Sequence, residues 1–178
     1  MIAIFDIGNT NITIGIFQND KLIDVFRLPT AFCKDEKYFY KNLKKILNKK
    51  KYEITDAFLG SVVPNINKTI QKVLKKYFNV ILKSIRKDTK LNIKNKYKNP
   101  EEVGEDRIAN AVAARKFYKN KNVVIVDFGT AITFDVLNSR GEYLGGLILP
   151  GINLCPMGLY EKTAKLPLIK MKNINKII

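Results

Sequence analysis

Residues 4–13 read IFDIGNTNIT, and residues 125–133 read IVDFGTAIT. In each stretch an aspartate, Asp6 or Asp127, ends an apolar strand. A turn of glycine with hydroxyl or amide residues follows, and then a second β-type run. A single Asp-x-Gly turn is weak evidence, because aspartate accepts backbone N–H bonds in many turns. Two copies in matching surroundings predict two related half-molecules that face each other across a cleft and present two phosphate-binding hairpins to one nucleotide.

The first half of the chain alternates β-type runs with amphipathic helical segments. The predicted elements occur in the order β-β-β-α-β-α-β, over residues 2–7, 12–17, 22–27, 38–47, 57–63, 66–77 and 80–82. That order is the ribonuclease-H-like topology, in which helices flank a mixed sheet.

The second half repeats only part of that pattern. Residues 83–103 are polar and lysine-rich, and we predict a long surface loop there. A helix, three strands and a final helix are predicted over residues 106–118, 123–127, 131–137, 142–149 and 154–163. We therefore predict an α/β protein with a duplicated ribonuclease-H-like fold and mixed β-sheets flanked by helices. The predicted division is into residues 1–105 and residues 106–178, with an incomplete second domain.

The composition restricts the chemistry. The 178 residues include 32 Lys and Arg against 16 Asp and Glu, which gives a formal charge of +16. A basic surface of this kind can attract nucleic acid or an anionic membrane. The basic residues are mostly dispersed lysines, without the arginines and aromatic platforms that base readout and single-strand binding use. We expect no nucleic-acid partner. Histidine is absent, so acid–base chemistry must use Asp, Glu, Lys, Tyr or Cys.

The chain also lacks the marks of export or membrane insertion. No apolar run reaches the ~18 residues of a transmembrane helix, and the first residues lack a basic region before an apolar core. Cys33 and Cys155 are far apart in sequence and have no metal-ligand neighbours, so neither a disulfide framework nor a zinc site is indicated. We expect a cytoplasmic protein without a membrane partner.

Asp6 and Asp127 allow two interpretations. Each carboxylate can cap its own turn, which is the better interpretation for one isolated copy. The repeated pair favours a phosphate site, because carboxylates bind Mg²⁺ or its waters and Mg²⁺ accompanies nucleotide phosphates. Gly8 and Gly129 would allow positive φ and close approach of the backbone to a phosphate. Hydroxyl donors are added by Thr10, Thr13, Thr130 and Thr133.

Residues 104–107, GEDR, precede the predicted helix of the second half. One interpretation makes Asp106 the N-cap of that helix and Arg107 a surface residue. The other makes Asp106 a general base towards a substrate hydroxyl and Arg107 a fork for an anionic group. The residues alone leave both open. The pair Gly145-Gly146 can likewise be a tight strand or a flat wall for a purine base or ribose.

Taken together, these motifs resemble those of type III pantothenate kinase, within the superfamily of actin-like and sugar-kinase ATPases. The resemblance is carried, in order, by residues 6–11 (DIGNTN), 60–64 (GSVVP), 104–107 (GEDR), 127–133 (DFGTAIT), 145–146 with 150–151, and 163–167 (TAKLP). It implies transfer of the γ-phosphoryl group of ATP to pantothenate, the first step of coenzyme A biosynthesis. It also implies a homodimer, and a C-terminal part that these 178 residues lack.

The resemblance implies a role for each matching residue. ATP would be bound by Asp6, Ile7, Gly8, Asn9, Thr10, Asn11, Ile12, Thr13 and Thr130, with Asp6 near Mg²⁺. Asp127 would hold a monovalent cation, K⁺ or NH4⁺. Pantothenate would be bound by Tyr97, Gly104, Glu105, Asp106 and Arg107, with Asp106 as the proton acceptor.

Two other functions remain open. One is a non-catalytic nucleotide-binding member of the same family. The other is a ribonuclease-H-like protein that acts on nucleic acid, suggested by the topology and the positive charge. That nuclease chemistry requires several carboxylates around two metal ions, whereas each half of this chain offers one strand-end aspartate.

Overall fold

The computed structural model describes residues 1–169, which form two β-sheets and the helices around them. The first sheet has the order β3-β2-β1-β4-β5, with β1 antiparallel to β2 and parallel to β4. Its strands are β1 (Ile2–Ile7), β2 (Asn11–Gln18), β3 (Lys21–Pro29), β4 (Asp56–Ser61) and β5 (Leu82–Ser84). A 3-10 helix (Thr30–Lys34), α1 (Glu36–Lys50) and α2 (Pro64–Val73) complete this half, and α2 continues into a π-helical turn (Leu74–Phe78).

Alternation along β1 decides which side of this sheet becomes the core. Phe5 and Ile7 are fully buried under the helices, and Phe5 meets Phe39 of α1 with ring centroids 6.3 Å apart. Asp6 lies between them in sequence and therefore projects from the opposite face. The same period-2 pattern that builds the core thus delivers a carboxylate to the side that faces the second half of the molecule.

The second sheet has the order β6-β9-β8-β7. Its strands are β6 (Lys94–Asn95), β7 (Val123–Phe128), β8 (Ala131–Leu137) and β9 (Glu142–Pro150). Helix α4 (Glu105–Phe117) contacts β7 and β8 of this sheet and also β4 of the first. Helix α5 (Leu154–Lys162) follows β9. The predicted boundary at residues 105 and 106 stays a prediction, and α4 lies between the two sheets.

The predicted loop over residues 83–103 is wrong in part. The segment contains the end of β5, the short helix α3 (Ile85–Asp88), β6, and a 3-10 turn (Pro100–Glu102). Strand β6 has two residues and pairs in parallel with β9. Its side chains are polar, so no hydrophobic alternation marks it. The strand predicted at residues 80–82 lies two residues later, at β5.

One face of the second sheet is apolar and uncovered within residues 1–169. Its exposed side chains include Val124, Val126, Phe128, Leu147 and Leu149. The opposite face packs against α4 around Ile108, Ala111 and the fully buried Tyr143. The prediction of a duplicated ribonuclease-H-like fold with an incomplete second half is confirmed. In the part of the chain that the structure describes, no helix is long and apolar enough to cross a membrane.

Candidate active site

The two Asp-x-Gly turns meet at one crevice of about 530 Å³. The hydroxyl oxygens of Thr10 and Thr130, one from each turn, lie 3.2 Å apart. Predicted ATP-site residues that line the crevice are Asp6, Gly8, Asn9, Thr10, Asn11 and Thr130. The structure thus brings the two turns together as the sequence predicted.

Each turn is closed by one backbone hydrogen bond. The N–H of Gly8 donates to the carbonyl of Asn11 at 3.0 Å, and the N–H of Gly129 donates to that of Ala131 at 2.9 Å. Gly8 and Gly129 do not use the positive φ that glycine would allow, because the positive-φ glycines of the described chain are Gly141 and Gly145. Both hairpins close with their glycines outside the left-handed region. The contribution of glycine here is its small size and not its backbone freedom.

Three other predicted ATP-site residues do not line the crevice. Ile7 and Ile12 are fully buried in the first core, so only their backbone can serve the site. Thr13 pairs with Asp6 across β1 and β2. A residue that the sequence analysis missed, Thr30, supports the first turn. Its buried hydroxyl donates to the carbonyl of Gly8 at 2.8 Å, and its N–H donates to that of Thr10 at 3.0 Å.

Arg27 is a second residue that the sequence analysis missed. The strand register places Arg27 beside Thr13 and Thr13 beside Asp6, so all three lie in one row on the crevice side of the sheet. In the second sheet the matching row is Asp127, Thr133 and Ile148. Arg27 is the only cation among the described residues that line the crevice. The pairing of β2 with β3 could have identified Arg27 as a crevice residue, but the sequence does not show how these two strands are aligned.

Three carboxylates lie around the crevice. Asp6, Asp106 and Asp127 line it together, and the same three also border an adjoining cavity of about 220 Å³. Burial raises the pKa of Asp6, and the negative charges of Asp106 and Asp127 raise it further. A cation at this point would relieve that repulsion. The site therefore has the electrostatics of a cation-binding site next to the two Asp-x-Gly turns.

The carboxylates of Asp6, Asp106 and Asp127 fit a metal ion that takes its remaining ligands from water and phosphate oxygens. Among the residues whose side chains the structure describes, no three His, Cys, Asp or Glu form a group that could hold a metal ion by themselves. Mg²⁺ in nucleotide sites is typically held by one or two carboxylates, water and the phosphates. Asp127 accepts a hydrogen bond from the amide of Asn110 at 3.2 Å. That contact orients Asp127 from α4.

Gly104, not Asp106, is the N-cap of α4. The capping interpretation of Asp106 is therefore wrong. Asp106 is the second residue of the helix, and its Oδ1 accepts the N–H of Arg107 at 2.8 Å. A Cβ at Gly104 would collide with the Asp106 carboxylate. Glycine at position 104 consequently gives Asp106 room to border the crevice.

The side chain of Glu105 is engaged within the protein. Its carboxylate accepts the N–H of Ser61 at 2.9 Å and the hydroxyl of Ser84 at 3.2 Å. Both serines belong to the first sheet, so Glu105 fastens the start of α4 to that sheet. The contact fixes the position of Asp106, the next residue.

Tyr97 and Arg107 lie against the glycine pair of β9. A Cβ at Gly145 would come within 2.9 Å of the Tyr97 ring, and a Cβ at Gly146 would come within 2.9 Å of Nη2 of Arg107. The interpretation of these glycines as a wall for a purine or ribose is therefore wrong, because two side chains of the protein occupy that space. The structure brings two predicted pantothenate residues together there.

Gly151 packs beneath the second turn, which gives a prediction about stability. Its N–H donates to the carbonyl of Thr130 at 3.0 Å, and an added Cβ would collide with the carbonyls of Gly129 and Thr130. We expect Gly151→Ala to destabilise the protein by about 1–3 kcal/mol, the usual cost of overpacking, and to weaken ATP binding. Urea unfolding and calorimetric ATP titration measure the two effects.

Gly158→Ala is the matched control. Gly158 lies in α5 with nothing within 4 Å of an added Cβ, and alanine is the better helix former. Equal stability of the two variants would contradict the close packing at Gly151.

The two sheets and their paired turns define a class, the duplicated ribonuclease-H-like proteins. Solved structures share the fold. Ethanolamine utilization protein EutJ from Carboxydothermus hydrogenoformans matches with a TM-score of 0.51 and 14% identity, over 92% of this chain and 57% of that one. A Baf family protein from Campylobacter jejuni matches with a TM-score of 0.51 and 22% identity, over 90% of this chain and 60% of that one.

Sequence comparison is more specific than these structural matches. The family model for type III pantothenate kinase matches residues 2–178. Type III pantothenate kinase of Finegoldia magna is 45% identical over all of this chain and 69% of its own length, and that of Persephonella marina is 41% identical over all of this chain and 71% of its own length. The chain belongs to the type III pantothenate kinase family. Its members use ATP to phosphorylate pantothenate in coenzyme A biosynthesis.

Proposed function

We propose that the crevice between the two turns binds Mg²⁺-ATP and that Asp106 accepts the proton of the pantothenate hydroxyl. One observation carries the proposal. The three carboxylates of Asp6, Asp106 and Asp127 line the same crevice as both hydroxyl-bearing turns. Phosphoryl transfer needs this combination of aligned reactants, a proton acceptor and charge neutralisation more than covalent chemistry by the protein.

The residues of the first turn would hold the phosphates. Asn9 and Thr10 at its tip and Thr130 from the second turn offer polar groups to phosphate oxygens across a short gap. Asp6 would bind Mg²⁺ or its waters, and the bound ion would neutralise charge on the β- and γ-phosphates. Arg27 would add positive charge in the same row as Asp6.

Asp106 would take part in the transfer itself. Its carboxylate takes the proton as the oxygen of the primary hydroxyl of pantothenate forms a bond to the γ-phosphorus. The bond from that phosphorus to the bridging oxygen of ATP breaks, and ADP leaves. The contact between Oδ1 of Asp106 and the Arg107 N–H leaves Oδ2 for the substrate.

The remaining predicted residues would act on pantothenate or on the site. Tyr97, Gly104 and Arg107 would form the pantothenate side of the pocket. Glu105, which bonds Ser61 and Ser84, would position α4 rather than touch pantothenate. Asp127, oriented by Asn110, would hold K⁺ or NH4⁺ next to the phosphates, where a monovalent cation adds positive charge.

Assembly and location are part of the same proposal. A second copy of the chain would form a homodimer, and the exposed apolar face of the second sheet supports this because large uncovered apolar patches mark interaction surfaces. Sedimentation velocity would measure the oligomeric state. A cytoplasmic location accords with a kinase that uses ATP.

The direct test is incubation of the purified chain with ATP, Mg²⁺, K⁺ and pantothenate, followed by detection of phosphopantothenate. A matched reaction omits pantothenate to measure background ATP hydrolysis. ATP binding by calorimetry without any phosphopantothenate would instead favour the non-catalytic nucleotide-binding alternative.

Arg27→Gln tests the cation that the sequence analysis missed. Its guanidinium makes no hydrogen bond or ion pair to another described residue, so it is free to bind a phosphate. We expect kcat/KM for ATP to fall by about 10–100-fold, because a hydrogen bond to a charged group contributes about 1.5–3 kcal/mol. Steady-state kinetics with varied ATP measure the effect.

The matched control for that change is Arg140→Gln. Arg140 is 79% exposed in the hairpin between β8 and β9, where it pairs with Glu142. If both variants kept wild-type kinetics, Arg27 would have no part in phosphate binding.

A further inference from the structure

Arg107 is held in a buried network on the second sheet. Its Nε donates to Oδ1 of Asp135 at 2.8 Å, and its Nη2 lies 2.6 Å from the same oxygen. The hydroxyl of Tyr143 donates to that oxygen at 2.5 Å. Asp135 and Tyr143 are fully buried. A buried carboxylate is costly unless it is paired and hydrogen-bonded. Oδ1 of Asp135 has these partners, whereas Oδ2 is buried without a hydrogen-bond partner among the described residues.

The backbone of β9 makes space for this network. Asp135 on β8 pairs with Gly146 on β9. A side chain at position 146 would collide with the carbonyl of Phe134 and would crowd Nη2 of Arg107. The guanidinium can lie over β9 only because residue 146 is glycine.

Tyr143 remains a hydrogen-bond donor in this environment. Burial, and after it the hydrogen bond to Asp135, raises the pKa of the Tyr143 phenol. The phenol therefore stays protonated at neutral pH, and Asp135 receives hydrogen bonds from an arginine and a tyrosine at once.

One nitrogen of Arg107 remains for a ligand. Nε and Nη2 face Asp135, and Nη2 is fully buried. Nη1 is not among the buried side-chain atoms without a partner, and no described residue accepts a hydrogen bond from it. The side chain of Arg107 is 13% exposed. Nη1 is therefore the nitrogen of Arg107 that a ligand can reach.

We propose that Asp135 and Tyr143 are positioning residues that fix Arg107 so that Nη1 binds the carboxylate of pantothenate. The inference rests on the proposed function, and it adds a specificity mechanism to it. A guanidinium fixed before binding loses little conformational freedom when it meets its ligand. Asp135 also offsets much of the charge of Arg107, so the site selects by geometry rather than by general attraction to anions. Arg107, held by Asp135, would favour substrates with a carboxylate over neutral analogues.

The test compares pantothenate with its alcohol analogue, in which a hydroxymethyl group replaces the carboxylate. Asp135→Asn should lower the preference for pantothenate, measured as the ratio of the two kcat/KM values, by about 10–100-fold. Tyr143→Phe should lower it by about 3–10-fold, because it removes one neutral donor. The KM for ATP should not change. Calorimetric titration with each compound gives the same comparison without turnover.

Tyr52→Phe and Asp24→Asn are matched controls. The Tyr52 hydroxyl donates to Oδ2 of Asp24 at 3.2 Å in the first half of the molecule, so the same pair of groups is changed away from the crevice. Neither control should alter the preference. Circular dichroism checks folding of each variant, and Tyr143→Phe decides the question if Asp135→Asn fails to fold.

Each outcome separates the two proposals. Loss of preference with an unchanged KM for ATP supports the positioning role. An equal loss with both compounds overturns it and leaves Asp135 and Tyr143 as parts of the core, while the proposed function stands. A wild-type chain that neither binds nor phosphorylates pantothenate overturns the proposed function and this assignment together.

Discussion

Asp106→Asn is expected to reduce the rate of phosphopantothenate formation by about 10²–10⁴-fold, the usual contribution of a positioned general base. Asparagine has nearly the shape of aspartate, and its side-chain oxygen can still accept the N–H of Arg107 that Oδ1 of Asp106 accepts at 2.8 Å. It cannot take a proton from the substrate hydroxyl. The binding of ATP should change little, because the phosphate turns remain intact.

Single-turnover kinetics and ATP titration separate these two quantities. Glu102→Gln is a suitable control, because Glu102 is an exposed acid near the same helix start. Its carboxylate accepts a hydrogen bond from the side-chain amide of Asn99 at 2.7 Å and from no other described residue. Unchanged turnover in Asp106→Asn would eliminate Asp106 as the proton acceptor.

Asp6→Asn is expected to lower turnover while it raises the stability of the protein. Turnover with Mg²⁺-ATP should fall by about 10²-fold, on the scale of one lost charge-stabilising contact in an active site. Without Mg²⁺, the variant should bind ATP more tightly than the wild type, because one of three carboxylates that repel the phosphates is gone. Titrations with ATP in the presence of Mg²⁺ or of a chelator measure both effects.

The same variant should be more stable than the wild type at neutral pH. The pKa of Asp6 is raised in the folded protein, by burial first and then by Asp106 and Asp127. A raised pKa means that the folded state binds this proton more tightly than the unfolded state, so stability is lost as the pH rises through the folded pKa. The gain in melting temperature should therefore shrink as the pH falls through the raised pKa of Asp6, and it should be absent below the ordinary pKa of aspartate.

Asp20→Asn, in the exposed turn between β2 and β3, controls for a general effect of removing negative charge from a basic protein. If Asp20→Asn and Asp6→Asn gave the same pH dependence of melting temperature, the repulsion at the crevice would not be its cause. If Asp6→Asn retained full turnover with Mg²⁺, Asp6 would have no part in metal binding.

The fold of the first half could be predicted from the sequence because its strands, helices and turns are marked by patterns of neighbouring residues. The apolar runs on either side of the first turn predicted both β1 and β2, and they predicted Asp6 at the end of a strand. The recurrence of the turn at Asp127 predicted the duplication. These features depend on spacing along the chain, which the sequence shows directly.

The sequence was least informative where a short polar segment joins a distant strand. Strand β6 has two residues, and its place beside β9 depends on contacts made 48 residues away, such as that between Lys94 and Glu142. The shift from Asp106 to Gly104 as the helix cap has a similar origin. Glu105 bonds Ser61 and Ser84 of the first sheet, which fixes where the helix begins.

The sequence alone determined which chemical groups the site contains: two aspartates in duplicated turns, a third aspartate near the start of a helix, and no histidine. Which of those groups are free to act was decided only by tertiary structure. Arg27 became a cation of the crevice through strand register, while Arg107 became half of a buried pair with Asp135 through the packing of α4 on the second sheet. The reason is physical: the charge of a side chain is fixed by its chemistry, but its availability depends on the burial and the partners that distant parts of the chain supply.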